Sequence, residues 1–91
     1  MPKLTKGQRE ILDKAHLHFK CRYDKGYNRF AIWRADAGMF DYRNADYSRL
    51  INLGLIEKDG EDGISQGGVW YKISAAGNEW MDRDFKERYG S

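Results

Sequence analysis

Histidine and cysteine are the residues of this sequence best suited to hold a metal ion, and three of them lie close together. They are His16, His18 and Cys21. On a helix, side chains two positions apart point about 200° away from each other, so both histidines cannot face one ion. No second pair of cysteine or histidine residues follows to complete the four ligands of a structural zinc site. The pattern predicts no metal site.

Aspartates could supply the paired acid and base of an enzyme, but their positions favour a structural role. Asp36, Asp41 and Asp46 are spread over expected helix caps and turns, where carboxylates bind the free amides of a helix N-terminus. No Ser-His-Asp set is apparent, and the glycine-rich segment 60–68 carries acid but lacks the lysine of a phosphate-binding loop. The sequence therefore predicts a protein that is not an enzyme and binds no cofactor.

Polar side chains between residues 43 and 52 could instead bind DNA bases. Tyr47, Leu50 and Ile51 recur at helical spacing and predict a helix over residues 42–53, capped by Asp41 or Asn44. Arginine can bind guanine through two hydrogen bonds, and asparagine can bind adenine in the same way. The alternative is that these residues are solvated positions on an amphipathic helix. The candidate base-reading residues are Arg43, Asn44, Tyr47, Ser48, Arg49 and Asn52.

Basic residues are concentrated in the first third of the chain. Residues 1–34 contain nine basic and three acidic side chains, although the net charge of the whole chain is only +2. Such cations could bind phosphates beside a base-reading helix, or they could simply solvate a loop and a helix face. Arg29 is the strongest candidate, because it begins the second predicted helix and a helix N-terminus attracts anions. The candidate phosphate-binding residues are Lys20, Arg22, Lys25, Arg29 and Arg34.

Two helices are predicted in the first half of the chain. Thr5 and Gln8 have the spacing of a capping box, and the apolar residues after them predict a helix over residues 6–19. Asn28 can cap a second helix over residues 28–37, in which Phe30 and Trp33 share a buried face. Between the helices we expect a loop, with a short strand at residues 21–23 that could pair with a later hairpin.

The segment from Leu50 to Gly77 contains the clearest structural signals. Gly54 can end the third helix, because glycine adopts the left-handed backbone without a steric penalty. Two runs of β-forming residues, 55–57 and 69–73, are separated by glycines, which predicts a hairpin over residues 55–73 with a mobile tip, the wing. Ser74 can cap a last helix over residues 75–88.

This order of elements resembles that of winged helix-turn-helix proteins. MarR-like regulators share the later signature, here Ser-Ala-Ala-Gly at residues 74–77, and small winged-helix proteins of phages and mobile elements are similar over residues 30–55. The resemblance implies an α+β fold that is mostly helical, with a three-helix core, a two- or three-stranded β-wing and a C-terminal helix. It also implies that the third helix reads duplex DNA.

The predicted wing departs from that family in its charge. Those DNA readers place arginine or lysine in the wing, whereas this sequence carries Asp59, Glu61 and Asp62 there. DNA phosphates would repel these carboxylates. We therefore expect the wing to point away from DNA or to bind another partner.

Length and composition predict one small domain spanning residues 1–91. A chain of 91 residues, of which 41% are hydrophobic, can form one modest core. A single cysteine excludes an internal disulfide, and the absence of a charged-then-apolar leader predicts a cytoplasmic protein. No apolar run approaches the roughly 20 residues that cross a bilayer, so no membrane partner is expected.

Two functions stay open from the sequence. The first is a small transcription regulator that binds double-stranded DNA through its third helix. The second is a winged-helix interaction module, such as a phage-type inhibitor or accessory protein, that binds a protein through its acidic wing and aromatic residues. A continuous positive surface around Arg43 and Arg49 would favour DNA, whereas a surface divided by Asp41 and Asp46 would favour protein. Either form could dimerise through the last helix, or the aromatic residues of that helix could fill the core of one chain.

Overall fold

The structure is a computed structural model that describes residues 2–61 and 67–90, and in these ranges the chain forms three helices and five strands. In chain order the elements are α1 Lys6–His16, β1 Lys20–Asp24, β2 Arg29–Arg34, β3 Gly38–Phe40, α2 Asn44–Asn52, β4 Ile56–Glu61, β5 Gly68–Ile73 and α3 Ala75–Tyr89. The strands form one sheet in the order β3-β2-β1-β5-β4, and all neighbouring strands are antiparallel.

All three helices pack on one face of this sheet and enclose an apolar core. Successive strand residues point to opposite faces, so on β2 Phe30 and Ile32 are buried while Ala31 and Trp33 point away from the helices. The core consists of Ile11, Leu12, Ala15, Phe19, Cys21, Phe30, Ile32, Tyr47, Leu50, Leu55, Ile56 and Trp80. We call the other side of the sheet the open face, and its side chains include Lys20, Arg22, Asp24, Arg29, Ala31, Trp33, Met39, Trp70 and Lys72.

The predicted fold class, a mostly helical winged helix-turn-helix with a three-helix core, is wrong. Helices account for 42% and strands for 31% of the described residues. The second predicted helix, residues 28–37, is instead β2 and the turn that leads to β3. β2 pairs with β1 from Asp24 opposite Arg29 to Lys20 opposite Trp33, and with β3 on its other side. The element before α2 is therefore a hairpin, and no helix-turn-helix pair forms in the described residues.

The helical prediction failed because it assumed that Phe30 and Trp33, three residues apart, share one face, which is true only in a helix. In the strand, Phe30 and Trp33 lie on opposite faces, and the inward partner of Phe30 is Ile32. Asn28 does not cap a helix, because it lies in the β1–β2 turn with a φ of 51°. Two neighbouring strands stabilise residues 29–34 in the extended form, which local propensity alone does not reveal.

The local signals at the helix ends are confirmed. The Thr5 hydroxyl accepts a hydrogen bond from the Gln8 amide, and the Gln8 side chain accepts one from the Thr5 amide, which completes the capping box. Gly54 has a φ of 74° after the end of α2. The Ser74 hydroxyl accepts the Gly77 amide at 3.0 Å at the start of α3. These signals are local, so they could be read from neighbouring residues alone.

Several predicted boundaries shift. α1 ends at His16 rather than residue 19, because His18 adopts a φ of 66° and Phe19 leads into β1. The short strand expected at residues 21–23 is present as β1, and it pairs with β5 of the hairpin as predicted. α2 is shorter than the predicted 42–53 and α3 is one residue longer than 75–88. Residues 62–66 of the predicted wing lie outside the described residues.

None of the described helices combines the length and the apolar composition that a bilayer-crossing helix needs.

Candidate nucleic-acid interface

One side of α2 is exposed and carries no acidic residue. Ala45, Ser48, Arg49 and Asn52 are all exposed, and their spacing of three, four and seven residues places them on one face of the helix. Ala45 and Ser48 have small side chains, so a large ligand can approach the helix backbone there. Arg49 and Asn52 then extend from the same face as hydrogen-bonding groups.

The opposite side of α2 fixes this orientation. Tyr47 and Leu50 are fully buried, and the Tyr47 ring stacks on Phe30 with ring centroids 4.6 Å apart and an interplanar angle of 5°. Tyr47 was among the candidate base-reading residues, and its burial removes it from any surface contact. Burial also raises the pKa of its hydroxyl well above the ordinary value.

The two aspartates that could divide the positive surface are both paired within the protein. Asp46 is buried, where it accepts a hydrogen bond from the Gln8 side chain at 3.4 Å and lies 3.7 Å from the Arg43 guanidinium. Asp41, whose side chain is 77% exposed, binds the Arg29 guanidinium at 2.6 Å. The acidic neighbours of α2 are therefore either buried or paired with a cation.

The packing of α1 against α2 brings one further cation to this surface. The Arg49 guanidinium donates to the backbone oxygen of Lys3 at 3.4 Å, so Lys3 lies beside α2. Lys3 is exposed and forms no ion pair among the described residues. Gly7 faces α2, since a Cβ added there would lie 2.8 Å from the Asp46 carboxylate, whereas Lys6 lines the groove between α1 and α3. Lys3 was not predicted as a contact, because only tertiary packing brings it to α2.

Asn44 has a structural role that the sequence did not reveal. Its side-chain amide donates to the Asn28 oxygen at 2.8 Å, and its side-chain oxygen accepts the Phe30 amide at 3.4 Å. These two bonds fasten the start of α2 to the β1–β2 turn and the beginning of β2. Reading a base with Asn44 would therefore break contacts that hold the helix in place.

The predicted phosphate-binding roles of Arg29 and Arg34 lose their structural basis. Arg29 was predicted to bind phosphate at a helix N-terminus, but it lies on β2. Its guanidinium is paired with Asp41. Arg34 donates to the Leu17 oxygen at 2.9 Å, pairs with Asp36 and lies 4.6 Å above the Phe19 ring centroid. Its hydrogen bond and charge also lower the pKa of the Asp36 carboxyl.

The acidic residues of the β4–β5 hairpin are paired with lysines. The Glu61 carboxylate binds both Lys25 and Lys58, and hydrogen bonds from these two ammonium groups lower its pKa to about 2. Asp59 lies 3.5 Å from the Lys72 ammonium. Lys25, a predicted phosphate contact, is thus engaged within the protein. Asp62, the third predicted acid of the wing, lies outside the described residues.

Lys20 and Arg22, the remaining predicted contacts, lie on the open face beside two tryptophans. Trp33 on β2 and Trp70 on β5 meet above β1 with ring centroids 5.8 Å apart. Arg22 lies 5.5 Å from the Trp70 ring centroid and 3.4 Å from Asp24. Trp33 was predicted to lie in the core. The signal that could have identified both tryptophans as outward residues is their alternation with the buried residues of a strand.

The residues considered for catalysis or metal binding do not assemble into a site. No group of three or more metal-ligating side chains comes together in the described part of the chain. His16 contacts the Asn78 side chain at 2.9 Å. Burial raises the pKa of the Cys21 thiol to about 12, so the thiol stays protonated and is a poor nucleophile at neutral pH.

Comparison of this chain with protein-family models, curated proteins and solved structures found no match. The comparisons therefore identify no winged-helix family. Among the predicted site residues, the structure brings together Ser48, Arg49 and Asn52 on the exposed face of α2, and Lys20 and Arg22 on the open face. Arg43 is the N-cap residue of α2 and pairs with Asp46. Lys25, Arg29 and Arg34 lie elsewhere in ion pairs.

Proposed function

We propose that this protein binds double-stranded DNA by placing α2 in the major groove. One observation carries the proposal: the exposed face of α2 is free of acid and carries Arg49, with Lys3 beside it and Arg43 at the start of the helix. Asp46, the acidic residue of the helix itself, is buried and bonded to Gln8. Lys3, Arg43 and Arg49 supply the positive charge.

The dimensions of α2 suit this role. A helix of nine residues is about 14 Å long, and the major groove is about 12 Å wide and 8.5 Å deep. Ala45 and Ser48 allow the helix to approach the base edges closely. Arg49 and Asn52 then supply the side chains that distinguish guanine and adenine. Arg43, whose side chain is 81% exposed, extends from the start of the helix toward the phosphates.

The proposal predicts how affinity depends on salt. If Arg43 and Lys3 each contact one phosphate, binding releases about two counterions. The logarithm of the association constant should then fall linearly with the logarithm of salt concentration, with a slope of about −2. Fluorescence anisotropy with a pool of labelled duplexes at several salt concentrations measures this slope.

A matched pair of variants tests the assignment to α2. Arg43→Glu with Arg49→Glu reverses two charges on the proposed surface, and Arg83→Glu with Lys86→Glu makes the same change on α3. We expect the first double variant to lose duplex binding and the second to retain most of it. Both variants change the net charge by the same amount, so a difference between them reports on the α2 surface and not on net charge. Equal losses in the two variants, or no binding by the wild-type protein at low salt, would contradict the proposal.

A second candidate function, binding to another protein molecule, is favoured by the exposed aromatic residues of α3. Phe85 and Tyr89 are 63% and 72% exposed, and their rings contact each other with centroids 5.0 Å apart. They border a groove of about 580 Å³ between α1 and α3. We propose that this surface binds a second copy of the chain. Sedimentation velocity should show a dimer that Phe85→Ser with Tyr89→Ser dissociates, whereas a wild-type monomer at all concentrations would exclude it.

A further inference from the structure

We infer that the open face of the sheet is a second binding site, which takes single-stranded nucleic acid by stacking a base on Trp33 and holding a phosphate with Lys20. This site lies on the opposite side of the sheet from α2. It does not depend on the proposed duplex binding, because none of its residues belongs to α2.

The aromatic rings of the open face are arranged in a series that ends at Trp33. The Arg22 guanidinium lies 5.5 Å from the Trp70 ring centroid on the open face. The centroids of the Trp70 and Trp33 rings are 5.8 Å apart, and the two rings are tilted by 54°. This series supports the Trp33 ring from the β5 side. On the β3 side, Trp33 is paired with Met39, whose side chain is 66% exposed.

The surface beside Trp33 leaves room for a flat ligand. On β2, Ala31 lies between the buried residues Phe30 and Ile32 and presents only a methyl group to the open face. Met39 beside Trp33 has a flexible, polarizable side chain that adapts to the shape of a ligand. A base can therefore lie against Trp33 with apolar atoms of Ala31 and Met39 around it, as bases do on aromatic residues of sheet surfaces.

A cation lies next to the Trp33 ring. Lys20 lies directly opposite Trp33 in the pairing of β1 with β2, is exposed and forms no ion pair among the described residues. Lys20 also lines a cavity of about 630 Å³ together with His18, Trp70 and Lys72; the acidic residue of this cavity, Asp59, is paired with Lys72. An aromatic ring next to an exposed cation suits a ligand that is both aromatic and anionic. A nucleotide has this chemistry, whereas a neutral sugar gains nothing from the cations.

Fluorescence anisotropy with labelled oligo(dT), oligo(rU) and an abasic deoxyribose-phosphate chain of the same length tests the inference. We expect the oligonucleotides to bind about tenfold or more tightly than the abasic chain, because only they can stack. Trp33→Ala should remove this difference, and Lys20→Glu should weaken binding of all three chains. Circular dichroism melting of both variants confirms that they are folded.

The α2 double variant, Arg43→Glu with Arg49→Glu, separates this inference from the proposed function. It should bind oligo(dT) as the wild-type protein does, even if duplex binding is lost or was never present. Equal binding of the abasic chain and oligo(dT), or loss of oligo(dT) binding in the α2 variant, would overturn the inference. A protein dimer that Trp33→Ala or Lys20→Glu dissociates would also overturn it, because the open face would then be an interface between copies.

Discussion

At the scale of single residues, the side chains of α2 divide into those that hold the helix in place and those that face outward. Tyr47 and Asn44 belong to the first group, since one stacks on Phe30 and the other binds the Asn28 oxygen and the Phe30 amide. Arg49 and Asn52 belong to the second. All four are polar residues within one short helix, so residue type alone did not separate the two roles.

Tyr47→Phe tests the packing of this residue. The Tyr47 hydroxyl is buried and has no hydrogen-bond partner among the described residues, and a buried unsatisfied polar group costs about 1–3 kcal/mol. The substitution keeps the ring that stacks on Phe30, so we expect the free energy of unfolding to rise by about 1 kcal/mol. Urea denaturation measures this change. Tyr42→Phe, at a half-buried ring nearby, is the control and should be close to neutral; a loss of stability at Tyr47 would mean that its hydroxyl is bonded.

At the scale of elements, the junction between β4 and α3 explains why glycine follows the Ser74 cap. The Leu55 oxygen accepts the Ser74 amide at 3.0 Å, which brings the first turn of α3 against the start of β4. A Cβ added to Gly77 would lie only 2.1 Å from that same Leu55 oxygen. Glycine is therefore required here by close backbone approach, although its φ is ordinary for a helix.

Gly77→Ala should consequently destabilise the protein, against the usual helix preference. Alanine in place of glycine normally stabilises a helix by about 1 kcal/mol. Here the clash with the Leu55 oxygen must be relieved by backbone movement, and overpacking of this kind costs about 1–3 kcal/mol. Thermal and urea denaturation of Gly77→Ala, beside Ala76→Gly at an exposed position of the same helix, measures the effect. A more stable Gly77→Ala protein would disprove the close approach.

At the scale of the whole molecule, the helices and the strands present two different surfaces. The helical layer exposes the basic face of α2, and the open face of the sheet exposes Trp33 and Lys20. Within the sheet, Glu61 on β4 binds Lys25, which follows β1, although β5 lies between the two strands. The paired acid of the predicted wing thus joins distant parts of the sheet.

This ion pair predicts how global stability depends on pH. The pKa of Glu61 falls from its ordinary 4.5 to about 2, mainly through the hydrogen bonds from Lys25 and Lys58. A lowered carboxyl pKa stabilises the folded state above the unfolded pKa, and this contribution is lost as the pH falls from about 4.5 to about 2. Wild type should therefore exceed Glu61→Gln in denaturant resistance at pH 6, and the difference should vanish near pH 2. Glu57→Gln on the same strand is the control; a difference that stays constant with pH would refute the role of the charge.

The sequence by itself determined the elements whose signals are local. The capping box at Thr5 and Gln8, the left-handed Gly54, the Ser74 cap and the hairpin after α2 are all present, because neighbouring residues decide them. The exposed positions of α2 that carry the proposed function, including Arg49, were also identified from helical spacing. Helix ends and amphipathic faces depend on contacts within a few residues, and the sequence displays those directly.

Only the tertiary structure decided the conformation of residues 28–37 and the surroundings of α2. The spacing of Phe30 and Trp33 fits one face of a helix. Pairing with β1 and β3 instead makes this segment a strand, in which the two side chains lie on opposite faces. Likewise, packing of α1 on α2 buried Asp46 and brought Lys3 to Arg49. Strand pairing and helix packing join residues far apart in the chain, so their free energies cannot be read from any local segment.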